Sequence, residues 1–247
     1  EARENSLLLA RELIAYGFDP KNTFFIIDQI YTDIYNLAIK LSRKLTLSEV
    51  RATYGYQNED NPGLFFYPCV QSAHIFLPQE KFGIKYVLVP IGPDEDSHIR
   101  ICRDLAKRFG YQAPSILHAR FLPGIDNEKM SKSKGNAIFL RDDSEVLRKK
   151  VSKSLSGGRS NLEEQRMYGG DPEKDISCKY LATFFLNDEE SAALHENYRT
   201  GKLLSKDVKE LLFSHLASFV TAFRNRTQNL NETTIKKCIL RNGDHDD

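Results

Sequence analysis

Runs of β-forming residues alternate with helical spacing over the first 140 residues of this chain and then stop, and this alternation constrains the fold more than any other feature. Residues 22–27 (Asn-Thr-Phe-Phe-Ile-Ile) read as a buried strand, residues 84–89 as a second and residues 115–118 as a third. Helical spacing separates them. Leu7, Ala10 and Ile14 share a face in a helix over 6–16 that Gly17 ends, residues 30–41 return to the same period, and 96–109 follow a Pro/Gly turn. Strands alternating with helices imply an α/β layer with a parallel sheet, whose reactive groups gather at the carboxyl ends of the strands.

Beyond Leu140 the pattern is helix after helix. Ser160-x-x-Glu163 has capping-box form, with Gly157-Gly158 and Gly169-Gly170 on either side of that short helix. Val208, Leu211, Leu212, Leu216, Phe219, Val220 and Phe223 make one apolar stripe, as in a bundle helix. The expected organisation is an α/β part over 1–140 and an all-α part over 141–247, with the polar residues 242–247 frayed.

Composition excludes several classes. The 35 basic and 34 acidic residues leave a net charge of +1, so no global field draws the chain to a polyanion, and any such contact must be local. Cys69, Cys102, Cys178 and Cys238 form no CxxC pair, which argues against a zinc site or a disulfide framework and fits a reducing, cytoplasmic setting. No apolar run approaches the ~20 residues of a spanning helix, so no membrane association is expected. No metal-ligand cluster is expected either.

One polar loop carries the chemistry. Residues 124–135 hold two glycines, two acidic residues and three lysines. Lys129 and Lys132 bracket Met130 and Ser131, and Ser133 follows. Two point charges at this spacing can follow a migrating phosphate while the serine hydroxyls donate hydrogen bonds. When an α-phosphoryl group is attacked, charge grows on the departing pyrophosphate, and cations fixed there stabilise the transition state more than the ground state. A solvated surface loop can have the same composition. Position separates the readings: the loop follows the third strand, and Gly135, Asn136 and apolar residues 137–140 come directly behind it.

Lys129-Met130-Ser131-Lys132-Ser133 matches the KMSKS signature of class I aminoacyl-tRNA synthetases at every place. The resemblance extends to tryptophanyl-tRNA synthetases of the eukaryotic and archaeal kind. The segment 66–73, Phe-Tyr-Pro-Cys-Val-Gln-Ser-Ala, resembles that family's amino-acid pocket helix, in which the glutamine at the place of Gln71 holds tryptophan. The segment 90–100, with Gly92, Asp94 and Glu95, resembles the turn whose Asp-Gln pair contacts ribose and the amino-acid backbone. The stretch 156–170 resembles the start of the helical anticodon-binding domain and favours the tryptophanyl over the tyrosyl branch.

The resemblance implies the second part of a class I Rossmann-type nucleotide-binding domain over 1–140, including the KMSKS loop, then an all-α anticodon-binding domain over 141–247. It implies ATP-dependent activation of tryptophan and transfer to tRNA(Trp), magnesium accompanying ATP, a homodimer, and no permanent cofactor. Lys129, Ser131, Lys132 and Ser133 would act on phosphate, with Met130, Gly92 and Asp94 also at ATP, and with Gln71 and Glu95 at tryptophan. Arg148, Lys149, Lys150 and Lys153 form a basic run that either faces solvent or meets RNA phosphate.

Two departures qualify this. Glu95 stands where the family has glutamine, putting a carboxylate where a neutral amide could meet one; it favours an ammonium and opposes a carboxylate. None of the six histidines forms a His-x-Gly-His motif, which in the family precedes the point where this sequence begins. The chain is therefore expected to be a fragment lacking half of its nucleotide site and activating little amino acid alone. The competing readings are a tyrosyl-tRNA synthetase and a noncatalytic RNA-binding or signalling module on the same fold.

Overall fold

The computed structural model describes residues 1–131 and 133–244. It has two compact units, one of Glu1–Arg120 with Asn231–Asp247 and one of Phe121–Leu230.

The first unit opens with α1 (Ala2–Tyr16), α2 (Ile34–Ser42), α3 (Leu47–Tyr54) and α4 (Pro62–Phe82). It continues with β1 (Leu88–Ile91), α5 (Asp96–Phe109) and β2 (Ser115–His118). Local chemistry sets the helix ends. Thr46 and Glu49 close a reciprocal capping box at the start of α3, satisfying two otherwise orphaned donors. Asn61 accepts from the Gly63 N–H at 2.8 Å ahead of Pro62, whose missing donor costs nothing at that place. Strands β1 and β2 pair in parallel, Leu88 opposite Ser115 and Ile91 opposite His118, with α5 as the crossover. The core gathers Tyr31 from the turns before α2 and Ile34, Leu41, Phe76, Ile99 and Leu105 from the helices around this pair.

The structure corrects three expectations in this unit. Residues 22–27 are not a strand: Phe25 makes one parallel bridge to Ile239, and Phe24 stacks on Phe82 at 5.7 Å. The partner segment follows a short helix (Glu232–Lys237) and offers no longer ladder, so β-propensity had nothing to pair with. The strand expected over 84–89 begins at Leu88, because its partner begins at Ser115. The helix expected from residue 30 starts at Ile34, after turns in which the Ile30 and Tyr31 amides both donate to the Ile27 carbonyl.

The second unit is helical from α6 (Ser144–Lys153) through α7 (Leu162–Tyr168), α8 (Ile176–Phe184), α9 (Asp188–Arg199) and α10 (Ser205–Asn229). Its core joins Leu147, Val151, Ile176, Leu181, Tyr198, Leu212 and Val220. Of the predicted α10 stripe, Val208, Leu212, Leu216, Val220 and Phe223 are buried, whereas Leu211 is exposed. The α7 cap lies one residue later than Ser160: Asn161 accepts from the Glu164 N–H at 2.8 Å.

The units divide at Arg120 rather than near Arg141. Leu122, Met130 and Ile138 pack against the helical core, and the Tyr180 hydroxyl donates to the Pro123 carbonyl, so the lysine-serine loop belongs to the second unit. The segment from Asn231 returns to the first, where Leu240 is buried. Asn242, expected to fray, accepts from the Asp33 N–H and donates to the Thr32 hydroxyl; residues 245–247 lie outside the described residues.

Candidate functional site

The candidate residues divide between the two units. In the first, α4 presents Gln71 and the turn after β1 presents Gly92, Asp94 and Glu95. Gly92 opens a single 3-10 turn over Pro93–Glu95, closed by the Glu95 N–H donating to the Gly92 carbonyl at 3.1 Å. Asp94 is exposed in this turn, and Glu95 takes the N-cap position of α5.

Gln71 and Glu95, 24 residues apart, meet. The Gln71 Nε2 amide donates to Glu95 Oε2 at 2.8 Å, while the buried Gln71 Oε1 has no partner. This leaves an unused amide acceptor beside a carboxylate.

An aromatic cluster lies within electrostatic reach of Glu95, and sequence reading missed it. His98 is half-buried, with its Nδ1 2.7 Å from the Tyr54 hydroxyl and its ring edge-on to Tyr67 at 5.4 Å. Burial lowers the His98 pKa, partly opposed by the charge of Glu95. The Tyr54 hydroxyl and His98 Nδ1 share a hydrogen bond whose direction follows the ring's tautomer. Burial also raises the Tyr54 pKa, helped by the charges of Tyr56 and Glu95. Tyr56 stacks on Tyr54 and meets Phe65 edge-on, extending the aromatic wall. A signal was present: His98 lies three residues after Glu95, which on a helix means the same face.

The lysine-serine loop has more internal order than its composition implies. Lys129 is exposed with its ammonium 4.5 Å from the centroid of the Phe121 ring, Met130 packs on the helical core, and the Ser131 and Ser133 hydroxyls are 2.9 Å apart. Lys132 lies outside the described residues. Lys134 pairs with Glu128, which raises its pKa. Beneath the turn sits Asn136, only 3% exposed and hydrogen-bonded to the loop on several sides.

The basic run on α6 does not present one face. Arg148 donates to both carboxylate oxygens of Glu210 and lies 3.8 Å over the Phe213 ring. Lys150 is mostly buried, paired with Asp142 at 2.7 Å and lying over Phe139. Lys149 and Lys153, one turn apart, are exposed.

All four cysteines are free and buried, and burial pushes the Cys69 thiol up to about 11 and the Cys102 thiol up to about 12. Among the described residues no helix is long and apolar enough to cross a membrane.

A lysine-serine loop in one unit, and a parallel βαβ pair with an amide-carboxylate contact just beyond β1 in the other, describe the α/β-plus-helical class of this chain, and comparison makes the class specific. Residues 1–221 match the family model of class I tRNA synthetases (W and Y), and the chain belongs to that family. Its relatives stand on the tryptophan side. It is 37% identical to a tryptophan–tRNA ligase of Saccharolobus solfataricus over 90% of this chain and 58% of that protein. It is 35% identical to the cytoplasmic tryptophan–tRNA ligase of Saccharomyces cerevisiae over 97% of this chain and 57% of that one. Among solved structures, the tryptophanyl-tRNA synthetase of Aeropyrum pernix superposes with a TM-score of 0.86 at 32% identity, covering 94% of this chain and 65% of that one. The chain thus spans rather more than half the length of the relatives it matches.

Proposed function

We propose that these residues serve the ATP-dependent activation of tryptophan and its transfer to tRNA(Trp). The observation that carries this reading is the meeting of Gln71 and Glu95 at the carboxyl end of β1, with an unpartnered amide oxygen beside a carboxylate under an aromatic wall. Two adjacent acceptors suit an amino acid's ammonium, and the aromatic groups suit an indole. Tryptophan rather than tyrosine is favoured by the names of the relatives.

In this reading Lys129 and Lys132 stabilise charge on the departing pyrophosphate, with Ser131 and Ser133 as hydroxyl donors. Met130 fixes the turn, while Gly92 and Asp94 stand at the ribose end of ATP. Magnesium comes with the nucleotide, held by its phosphates. The helical unit is the anticodon-binding part, where exposed Lys149 and Lys153 offer phosphate contacts and Arg148 and Lys150 are engaged within the protein. A homodimer and a cytoplasmic setting are proposed from the family resemblance, the yeast relative being named cytoplasmic.

The chain contains no tryptophan, so the fluorescence of added L-tryptophan can be excited without interference from the protein's own indoles. Saturable binding of L-tryptophan, with L-tyrosine competing poorly, is the expected outcome. Pyrophosphate exchange with either amino acid then measures how much activation this polypeptide supports. Preference for tyrosine, or no aromatic amino-acid binding at all, would overturn the reading.

A further inference from the structure

The lysine-serine turn can orient phosphate only if its backbone is fixed, and one buried side chain fixes it. Asn136 Oδ1 accepts from the Ser131 N–H at 2.8 Å. Its Nδ2 group donates to the Asp126 carboxylate at 2.9 and 3.0 Å and to the Lys129 carbonyl at 3.2 Å. Its backbone carbonyl accepts from the Ile125 N–H at 2.9 Å. Both amide hydrogens and the amide oxygen are therefore used, and they reach three points of the loop: Asp126 on the ascending side, then Lys129 and Ser131 on either side of Met130.

The surroundings hold Asn136 in this orientation. Gly124 lies against it so closely that a Cβ there would come within 2.5 Å of Nδ2 and 2.9 Å of the Asn136 carbonyl oxygen, leaving no space for a side chain. The Asp126 carboxylate also accepts from the Glu128 N–H at 3.0 Å, and its hydrogen bonds, the Glu128 amide first and Asn136 next, favour its ionised form. An ionised carboxylate can only accept, so it selects the amide face of Asn136 and turns Oδ1 toward Ser131. Interchanging the two ends of the amide would set oxygen against oxygen at Asp126 and nitrogen against N–H at Ser131.

We propose that Asn136 is the positioning residue of the lysine-serine turn, holding the backbones of Lys129 and Ser131 in the register from which their side chains meet phosphate. Asn136 itself touches no phosphate in this arrangement. The functional part of the inference rests on the phosphate role proposed above; the positional part stands on the hydrogen bonds alone.

The test uses the whole chain, with amide hydrogen exchange at Ser131 and calorimetric binding of inorganic pyrophosphate as separate readouts. In the native protein the Ser131 amide should exchange at least tenfold more slowly than its unprotected rate; an unprotected Ser131 overturns the proposal without any variant. Asn136→Asp keeps the shape but sets two carboxylates together, and should speed Ser131 exchange and weaken pyrophosphate binding about tenfold while the α10 amides stay protected. Exchanging the partners in Asp126→Asn/Asn136→Asp restores an amide-carboxylate pair and an acceptor for the Ser131 N–H but not the donor to the Lys129 carbonyl, so it should recover Ser131 exchange to within about threefold and pyrophosphate binding only in part. An Asn136→Asp protein that folds and matches the native one in Ser131 exchange overturns the positioning role. If the native chain shows a protected Ser131 but no pyrophosphate binding, the phosphate reading fails while the positioning of the turn stands.

Discussion

The Gln71 amide nitrogen lies 2.8 Å from Glu95 Oε2, and this single contact fixes which end of the amide faces the carboxylate. A carboxylate offers no proton, so it draws the NH2 end of Gln71 toward itself and leaves Oε1 buried with no partner. A buried acceptor without a donor is costly, and under the proposed function an ammonium that brings donors relieves that cost. With glutamine at position 95 either amide could turn over, and the pair could meet a donor or an acceptor.

Glu95→Gln should therefore weaken L-tryptophan binding about tenfold, the scale of losing one charge-assisted hydrogen bond at a partly exposed site. Tryptamine, which keeps the ammonium and lacks the carboxylate, should lose affinity by a similar factor. N-acetyl-tryptophan, which has no ammonium, should bind the native protein poorly and the variant no worse. Titration of the three ligands by fluorescence checks this; equal losses for tryptamine and N-acetyl-tryptophan would show that Glu95 acts on something other than the ammonium.

His98 gives a pH dependence whose sign follows from its burial. Its pKa in the folded protein is lowered, chiefly by desolvation and against the pull of Glu95, so the unfolded chain binds this proton more readily. The stabilisation is fully present above the ordinary histidine value of about 6.5 and is lost as pH falls from there toward the depressed folded value. The Tyr54 hydroxyl lies 2.7 Å from Nδ1 and hydrogen-bonds to the ring. His98→Phe keeps a ring between Tyr54 and Tyr67 and removes the titration. Urea midpoints measured across this acidic range should fall more steeply for the native protein than for the variant, and parallel curves would refute the assignment.

The elements legible in the sequence were those whose signal is local. The bounds of α5 follow from amphipathic spacing between a Pro/Gly turn and Gly110, and β2 from a compact apolar run after a proline. Residues 22–27 had the right propensity but no ladder to join, since pairing depends on a partner more than 200 residues away. Among the candidate residues, Lys129, Ser131 and Ser133 stood out by type and spacing. Tyr54 and His98 did not: each is ordinary in its own helix, and only packing brings one against the other. Asn136 was visible as a residue behind the loop, whereas its role required knowing where both ends of its amide point.

Asp175 shows the same division in the helical unit. It is fully buried, and its two oxygens serve different masters: Oδ1 caps α8 by accepting from the Ser177 and Cys178 N–H groups at 2.9 and 3.1 Å. Oδ2 accepts from the Gly157 N–H at 3.0 Å, the Tyr198 hydroxyl at 2.9 Å and the Ser156 hydroxyl at 3.2 Å, tying the 156–158 segment to α8 and α9. In Asp175→Asn the retained oxygen can keep the cap while the new NH2 replaces Oδ2. The two hydroxyls can rotate to accept from that NH2, but the Gly157 N–H cannot, so one buried donor is left unpaired at a cost of about 1–3 kcal/mol. Asp175→Ala strands the donors on both sides and should cost more than Asn. Urea unfolding orders the two variants, and amide exchange separates the two oxygens: Gly157 should lose protection in the Asn protein while Ser177 and Cys178 keep theirs. Loss of protection at Ser177 and Cys178 with Gly157 unchanged would mean that the new amide had turned its nitrogen toward the helix cap instead.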